Sequence, residues 1–151
     1  MTIAAHQEYS LSAPASPGAS GHSADAKPRS LDILIVEDEI LIAMDVEQSV
    51  EEAGHKVMGI ETTASSAVKA VEMARPDVVL MDLKLADGSF GGDAAREILQ
   101  RFGIHSIFIS GNLDSATRSR LADLEPIAML SKPFRAEELL QALRSVMQTQ
   151  N

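Results

Sequence analysis

The chain has no cysteine and no tryptophan, and only one tyrosine and four phenylalanines in 151 residues. Without thiols it can form no disulfide, use no thiol nucleophile and build no thiolate metal site. With aromatics at 3% and hydrophobic residues at 45%, a core has to come from Leu, Ile, Val, Ala and Met, and there is enough for one domain of ordinary size. Basic charge is also scarce: 13 Lys and Arg stand against 22 Asp and Glu, a formal net charge of -9. A phosphate backbone or an anionic bilayer needs a basic surface, so neither nucleic acid nor membrane is an expected partner. No apolar run approaches the roughly 18 residues that span a bilayer. The opening MTIAAHQEYS lacks the charged start and apolar block of a secretory signal. A cytoplasmic location is the expectation these absences support.

Residues 1–29 are rich in Ala, Ser, Pro and Gly and lack apolar periodicity. Such a stretch cannot bury enough surface to offset its ordering entropy, which predicts a disordered tail, with residues 30–151 forming the folded domain. From Leu31 the pattern changes. LDILIV (31–36) and DVVLMDL (77–83) are apolar, partly β-branched runs that end in acids, the mark of strands buried on both faces. HKVMGIE (55–61), HSIFIS (105–110) and PIAMLSK (126–132) read as three more strands. Between and after them, 39–53, 65–74, 93–102, 114–124 and 136–147 place apolar residues at helical spacing. Gly54 is a stop for the first helix, and Asp114 or Ser115 a cap for the fourth. A polar, Gly-rich loop, ADGSFGG (86–92), follows the third strand.

Strands alternating with helices predict an α/β fold: a doubly wound, five-stranded parallel sheet with helices on both faces. Ligands of such sheets sit outside the carboxyl ends of the strands. Those ends carry Glu37-Asp38, Asp82, Ser110 and Ser131-Lys132-Pro133. Three carboxylates, a hydroxyl and an ammonium therefore meet in one cleft. Clustered carboxylates repel, and a hard divalent cation relieves the repulsion; Mg²⁺ takes one or two carboxylates, waters and a phosphate. A carboxylate beside that metal can attack an activated phosphorus and form an acyl phosphate. The metal, Lys132 and the Ser110 hydroxyl can each then take one phosphoryl oxygen.

ILIVED, VVLMDL, FISG and SKPF, in this order and at strand ends, together resemble the receiver domains of bacterial response regulators, a similarity that covers about residues 31–148. Each motif is weak alone; the set is specific. The resemblance implies strand order 2-1-3-4-5 and Asp82 as phosphoacceptor. Asp38 and Asp82 would ligate Mg²⁺ (Mn²⁺ a plausible substitute), Glu37 would act directly or through water, and the main-chain carbonyl of Lys84, not its side chain, would complete the set. Ser110 would follow the phosphoryl group, Lys132 would pair with one of its oxygens, and a cis peptide before Pro133 would aim Lys132 inward. It further implies a sensor histidine kinase as donor and an unknown downstream protein. The expected output face is the fourth helix, fifth strand and fifth helix, on a monomer or weak homodimer that is not a turnover enzyme. A phosphate sink, a relay intermediate and a binding module with an inactive site stay open.

The sequence departs from that family in one place that matters. Where many receivers carry Tyr or Phe, three residues before the lysine, this chain has Met129, so no ring flip is available and activation is expected to reorder the segment 111–124. This resembles a variant subgroup without the aromatic switch. His55 and His105 precede strands at the opposite edge, and His6 and His22 lie in the tail, so no histidine is expected at the cleft. A flavodoxin-type reading fails on Glu37-Asp38-Glu39, which would repel a flavin phosphate. A phosphatase using an Asp nucleophile usually has a second Asp two residues on, where this chain has Lys84.

Overall fold

Alternate residues along each strand enter different cores, and this period of two fixes how the helices are layered. The computed structural model describes residues 29–149. Its strands are β1 (Asp32–Val36), β2 (Lys56–Glu61), β3 (Val78–Asp82), β4 (Ser106–Ser110) and β5 (Ala128–Ser131), and its helices α1 (Ile40–Glu52), α2 (Ala64–Ala74), α3 (Gly91–Phe102), α4 (Ser115–Leu121) and α5 (Ala136–Thr149). The strands form one sheet in the order β2-β1-β3-β4-β5, parallel throughout. This is the doubly wound fold expected from the alternation, with the expected order.

Ile33, Ile35, Val78, Leu80, Ile107 and Ile109 face one side, where they bury Ala43, Val46 and Val50 of α1 and Leu139, Leu143 and Val146 of α5. Leu34, Val36, Val79, Met81 and Phe108 face the other, against Val68 and Val71 of α2, Ala95 and Ile98 of α3, and Leu121 of α4. β3 and β4 are buried along their whole length, which is why they read as continuous apolar runs. β2, at the edge, is only half-buried, matching its weaker signal. Among the described residues no helix is long and apolar enough to cross a membrane.

Two helix ends depart most from the sequence reading. α3 begins at Gly91, two residues before the expected Asp93. Gly91 packs so tightly on β3 that an added Cβ would lie 1.9 Å from the Asp82 carbonyl oxygen; the glycine serves close approach, not a loose loop. The loop before it is also ordered by an antiparallel bridge between Lys84 and Phe90. α4 stops at Leu121 and continues as a 3-10 turn, Ala122–Leu124, closed by Glu125 at φ 48°. Asp114 caps α4, its carboxylate accepting from the Thr117 amide at 2.8 Å. The tail expected over 1–29 lies outside the described residues except for Arg29, whose guanidinium is 3.9 Å from Asp77.

Candidate functional site

Because β1 and β5 flank β3 and β4, the carboxyl ends of all four open onto one cleft. Asp38, Glu39, Asp82, Lys84, Ser110, Gly111, Asn112 and Lys132 line it, with Glu37 beneath. Glu37 and Asp82 are 3% and 5% exposed, while Asp38 faces solvent. Oxygens of Glu37, Asp38 and Asp82 all lie within 4.8 Å of one another. Two of these acids share one cation: Lys132 Nζ is 2.9 Å from Glu37 Oε2 and 3.1 Å from Asp82 Oδ2. The Lys132-Pro133 peptide is cis, as the motif implied.

The other oxygen of each acid accepts from nearby backbone. The Glu39 amide donates to Glu37 Oε1 at 3.1 Å, and the Lys84 amide to Asp82 Oδ1 at 3.3 Å. Burial drives the Glu37 carboxyl upward to about 7; the bonds from Lys132 and the Glu39 amide oppose this, and the neighbouring Asp82 adds to it. Lys132 shifts the other way in charge terms: burial works against its ammonium, but the bonds to Glu37 and Asp82 outweigh burial and raise its pKa. Two buried acids held by one ammonium cannot both be fully compensated, and Glu37, the deeper one, bears the cost. An additional cation is the chemical complement of this arrangement. Oxygen-only donors, two buried and one exposed to solvent, suit a hard divalent ion that keeps waters.

The predicted side chains converge on the cleft, but the Ser110 hydroxyl bonds to Asn112 and not to Asp82. Its Oγ accepts from the Asn112 amide at 3.1 Å and is 3.3 Å from the Asn112 carbonyl oxygen. Sequence reasoning missed Asn112 and Gly91, neither of which stands in a strand-end motif, and treated the Lys84 side chain as irrelevant although it lines the cleft. Met129 is half-buried against the α3 side of the sheet. Arg118 passes over it, with one guanidinium nitrogen 3.8 Å from the Met129 sulfur and Nε donating to the Leu113 carbonyl at 3.0 Å. His55 and His105 lie at the far edge, bonded to the Leu31 amide and Glu125.

A family model described as the response regulator receiver domain matches residues 33–144. The chain belongs to this family. Among curated relatives, the phyllosphere-induced regulator PhyR of Methylorubrum extorquens is 43% identical over 110 residues, 72% of this chain and 40% of PhyR. The chemotaxis protein CheY of Thermotoga maritima is 28% identical over 119 residues, covering 76% of this chain and 95% of CheY. The crystal structure of PhyR from Brucella abortus superposes with a TM-score of 0.66 at 40% identity, over 80% of this chain and 49% of that one. This receiver domain thus spans less than half the length of either PhyR. The receiver resemblance drawn from the four strand-end motifs is correct.

Proposed function

We propose that this receiver is a phosphorylation switch in which Asp82 accepts a phosphoryl group from the phosphohistidine of a sensor kinase. The observation that carries this reading is the bridging of Glu37 and Asp82 by Lys132, 2.9 and 3.1 Å away respectively, with Asp38 completing a three-carboxylate cluster. An Asp82 oxygen attacks phosphorus, the donor P–N bond breaks with its electron pair going to the imidazole, and an acyl phosphate forms. Little covalent work is asked of the protein; it has to position the groups and neutralise charge.

Glu37, Asp38, Asp82 and the Lys84 carbonyl are the groups suited to hold Mg²⁺, which would supply charge neutralisation for a phosphoryl oxygen. Lys132 already stands at Asp82 and is placed to pair with a second oxygen. For Ser110 to reach a third, its hydroxyl must leave Asn112, which precedes the α4 cap by two residues. The switch then runs from Ser110 through residues 111–114 into α4, with no ring involved.

The output is protein binding by the α4, β5 and α5 face, within a cytoplasmic signalling pathway. PhyR from Bartonella quintana is described as an anti-anti-sigma factor, and a regulatory protein partner is what this likeness supports. Incubation with acetyl phosphate and Mg²⁺ should add one phosphate to the wild type by intact mass and none to Asp82→Asn. Equal labelling of the two would defeat the assignment.

A further inference from the structure

α4 buries only Leu121, and two cation contacts fasten it and the turn after it to α3. The Arg120 guanidinium lies 3.8 Å from the centre of the Phe90 ring, just ahead of α3. Arg96 of α3 grips Asp123, in the turn after α4, through both terminal nitrogens. The Phe90 ring occupies the space that a side chain at position 92 would fill. A Cβ added to Gly92 would stand 2.3 Å from Phe90 Cε1 and 2.9 Å from Leu121 Cδ2. The bare glycine is what lets the ring lie against α4.

Phe90 is also tied to Asp82. It forms the antiparallel bridge with Lys84, and the next amide, that of Gly91, donates to the Leu83 carbonyl at 2.9 Å. The Lys84 amide in turn donates to Asp82 Oδ1 at 3.3 Å. A group added to that carboxylate competes for the oxygen that anchors Lys84, and Lys84 carries Phe90. The residue thus has the Asp82 strand end behind its backbone and the α4 guanidinium over its ring. This hold is separate from the path through Ser110, which enters α4 at its cap.

We propose that the Phe90–Arg120 stack is a brake on α4: it keeps the helix docked while Asp82 is unmodified and yields when the Lys84 end of the loop shifts. The release half rests on the phosphoacceptor reading above; the docking half does not. An exposed stack of this kind shifts an equilibrium roughly two- to fivefold, so it sets a threshold and does not lock the helix. By linkage, a ligand that favours undocked α4 binds more tightly once docking is weakened, by no more than the same factor.

Amide exchange of residues 115–124, followed by mass spectrometry in the unmodified protein, tests docking in wild type, R120Q, F90L and F90L/R120Q. Each single variant keeps the bulk of its side chain and loses the stack, so exchange should quicken roughly two- to fivefold. The double variant should add little to either, because the two residues act as one contact. R75Q removes a guanidinium 4.5 Å from the Phe102 ring centre, at the far end of α3, and should leave α4 unchanged. Beryllofluoride, a phosphoryl mimic, is then titrated with saturating Mg²⁺ and followed by fluorine NMR. R120Q and F90L should bind it more tightly than wild type, by up to the factor seen in exchange. Wild-type exchange in R120Q, or single effects that simply multiply in the double variant, would show that the stack does not hold α4. Faster exchange with unchanged beryllofluoride affinity would overturn the brake, because α4 would then be docked without being coupled to Asp82. Wild type that binds no beryllofluoride would defeat the phosphoacceptor reading and the release half with it.

Discussion

Lys132 holds together two acids that would otherwise repel, and it is itself only partly exposed. Replacing it with Met keeps the length of the side chain and removes the charge, leaving Glu37 and Asp82 facing each other in a desolvated cleft. Lys132→Met is expected to lose roughly 1–3 kcal/mol of stability in urea titrations, because removing one partner of a buried pair strands the other. Mg²⁺ should restore much of that loss, since a ligand that binds only the folded state stabilises it by mass action. An unchanged midpoint in the absence of Mg²⁺ would show that the bridge carries no stability. His55 gives a pH prediction at the far edge of the sheet. Burial lowers its pKa below 6.5, and Nδ1 accepts a bond from the Leu31 amide at 3.1 Å, which requires that nitrogen to be unprotonated. The unfolded chain therefore binds the proton more readily, and stability falls as pH drops from above 6.5 through the lower folded value. The melting temperature of His55→Gln should fall less than that of wild type between about pH 7.5 and 5.5; parallel falls would contradict the assignment.

At the scale of elements, sequence patterns were most legible where burial was complete. β3 and β4, buried at every position, were placed to within two residues, because a strand covered on both faces is apolar between its ends, with polar residues only at its first or last position. Helix ends were less legible, since they depend on contacts across the fold. α3 starts at Gly91 because its backbone lies against the Asp82 carbonyl, a neighbour nine positions away that no local pattern reveals. Gly91→Ala should accordingly destabilise by roughly 2–4 kcal/mol, as an overpacked buried site does. Gly111→Ala, where an added Cβ meets nothing within 4 Å, should stay within about 0.5 kcal/mol; similar losses for both, in the same denaturation assay, would mean the contact is not the cause. α4 gives way after Leu121 to a tighter 3-10 turn, and the residue that closes that turn, Glu125, adopts a left-handed φ of 48°, which the residue type does not announce. With Leu121 its one buried residue, α4 is the helix least held by the core, and its cap follows by two residues the Asn112 to which Ser110 bonds. Met129 beside it was legible as an absence of an aromatic ring, but the Arg118 contact over its sulfur was not, because a solvent-facing helix residue carries no sequence sign of where it reaches.

For the whole molecule, the sheet order gathers Glu37, Asp38, Asp82, Ser110 and Lys132, spread over nearly a hundred positions, at one edge, while His55 and His105 stay at the other. That gathering is what the four strand-end motifs allowed the sequence to foretell, since each motif marks where a buried strand meets solvent. What the motifs could not convey was that the Lys84 side chain lines the rim of the cleft, because its type and position look like ordinary surface. The domain's net acidity, the acidic cleft and its membership of the receiver family support the phosphoryl acceptance and protein binding proposed above. The central claim is that one carboxylate among three is the acceptor. After labelling with acetyl phosphate and Mg²⁺, borohydride reduces an acyl phosphate to the alcohol, turning the modified aspartate into homoserine that peptide mass spectrometry can locate. Homoserine at position 82 alone is the expected result; homoserine at position 38, a reduced glutamate at 37, or no reduced residue in a labelled protein would contradict it.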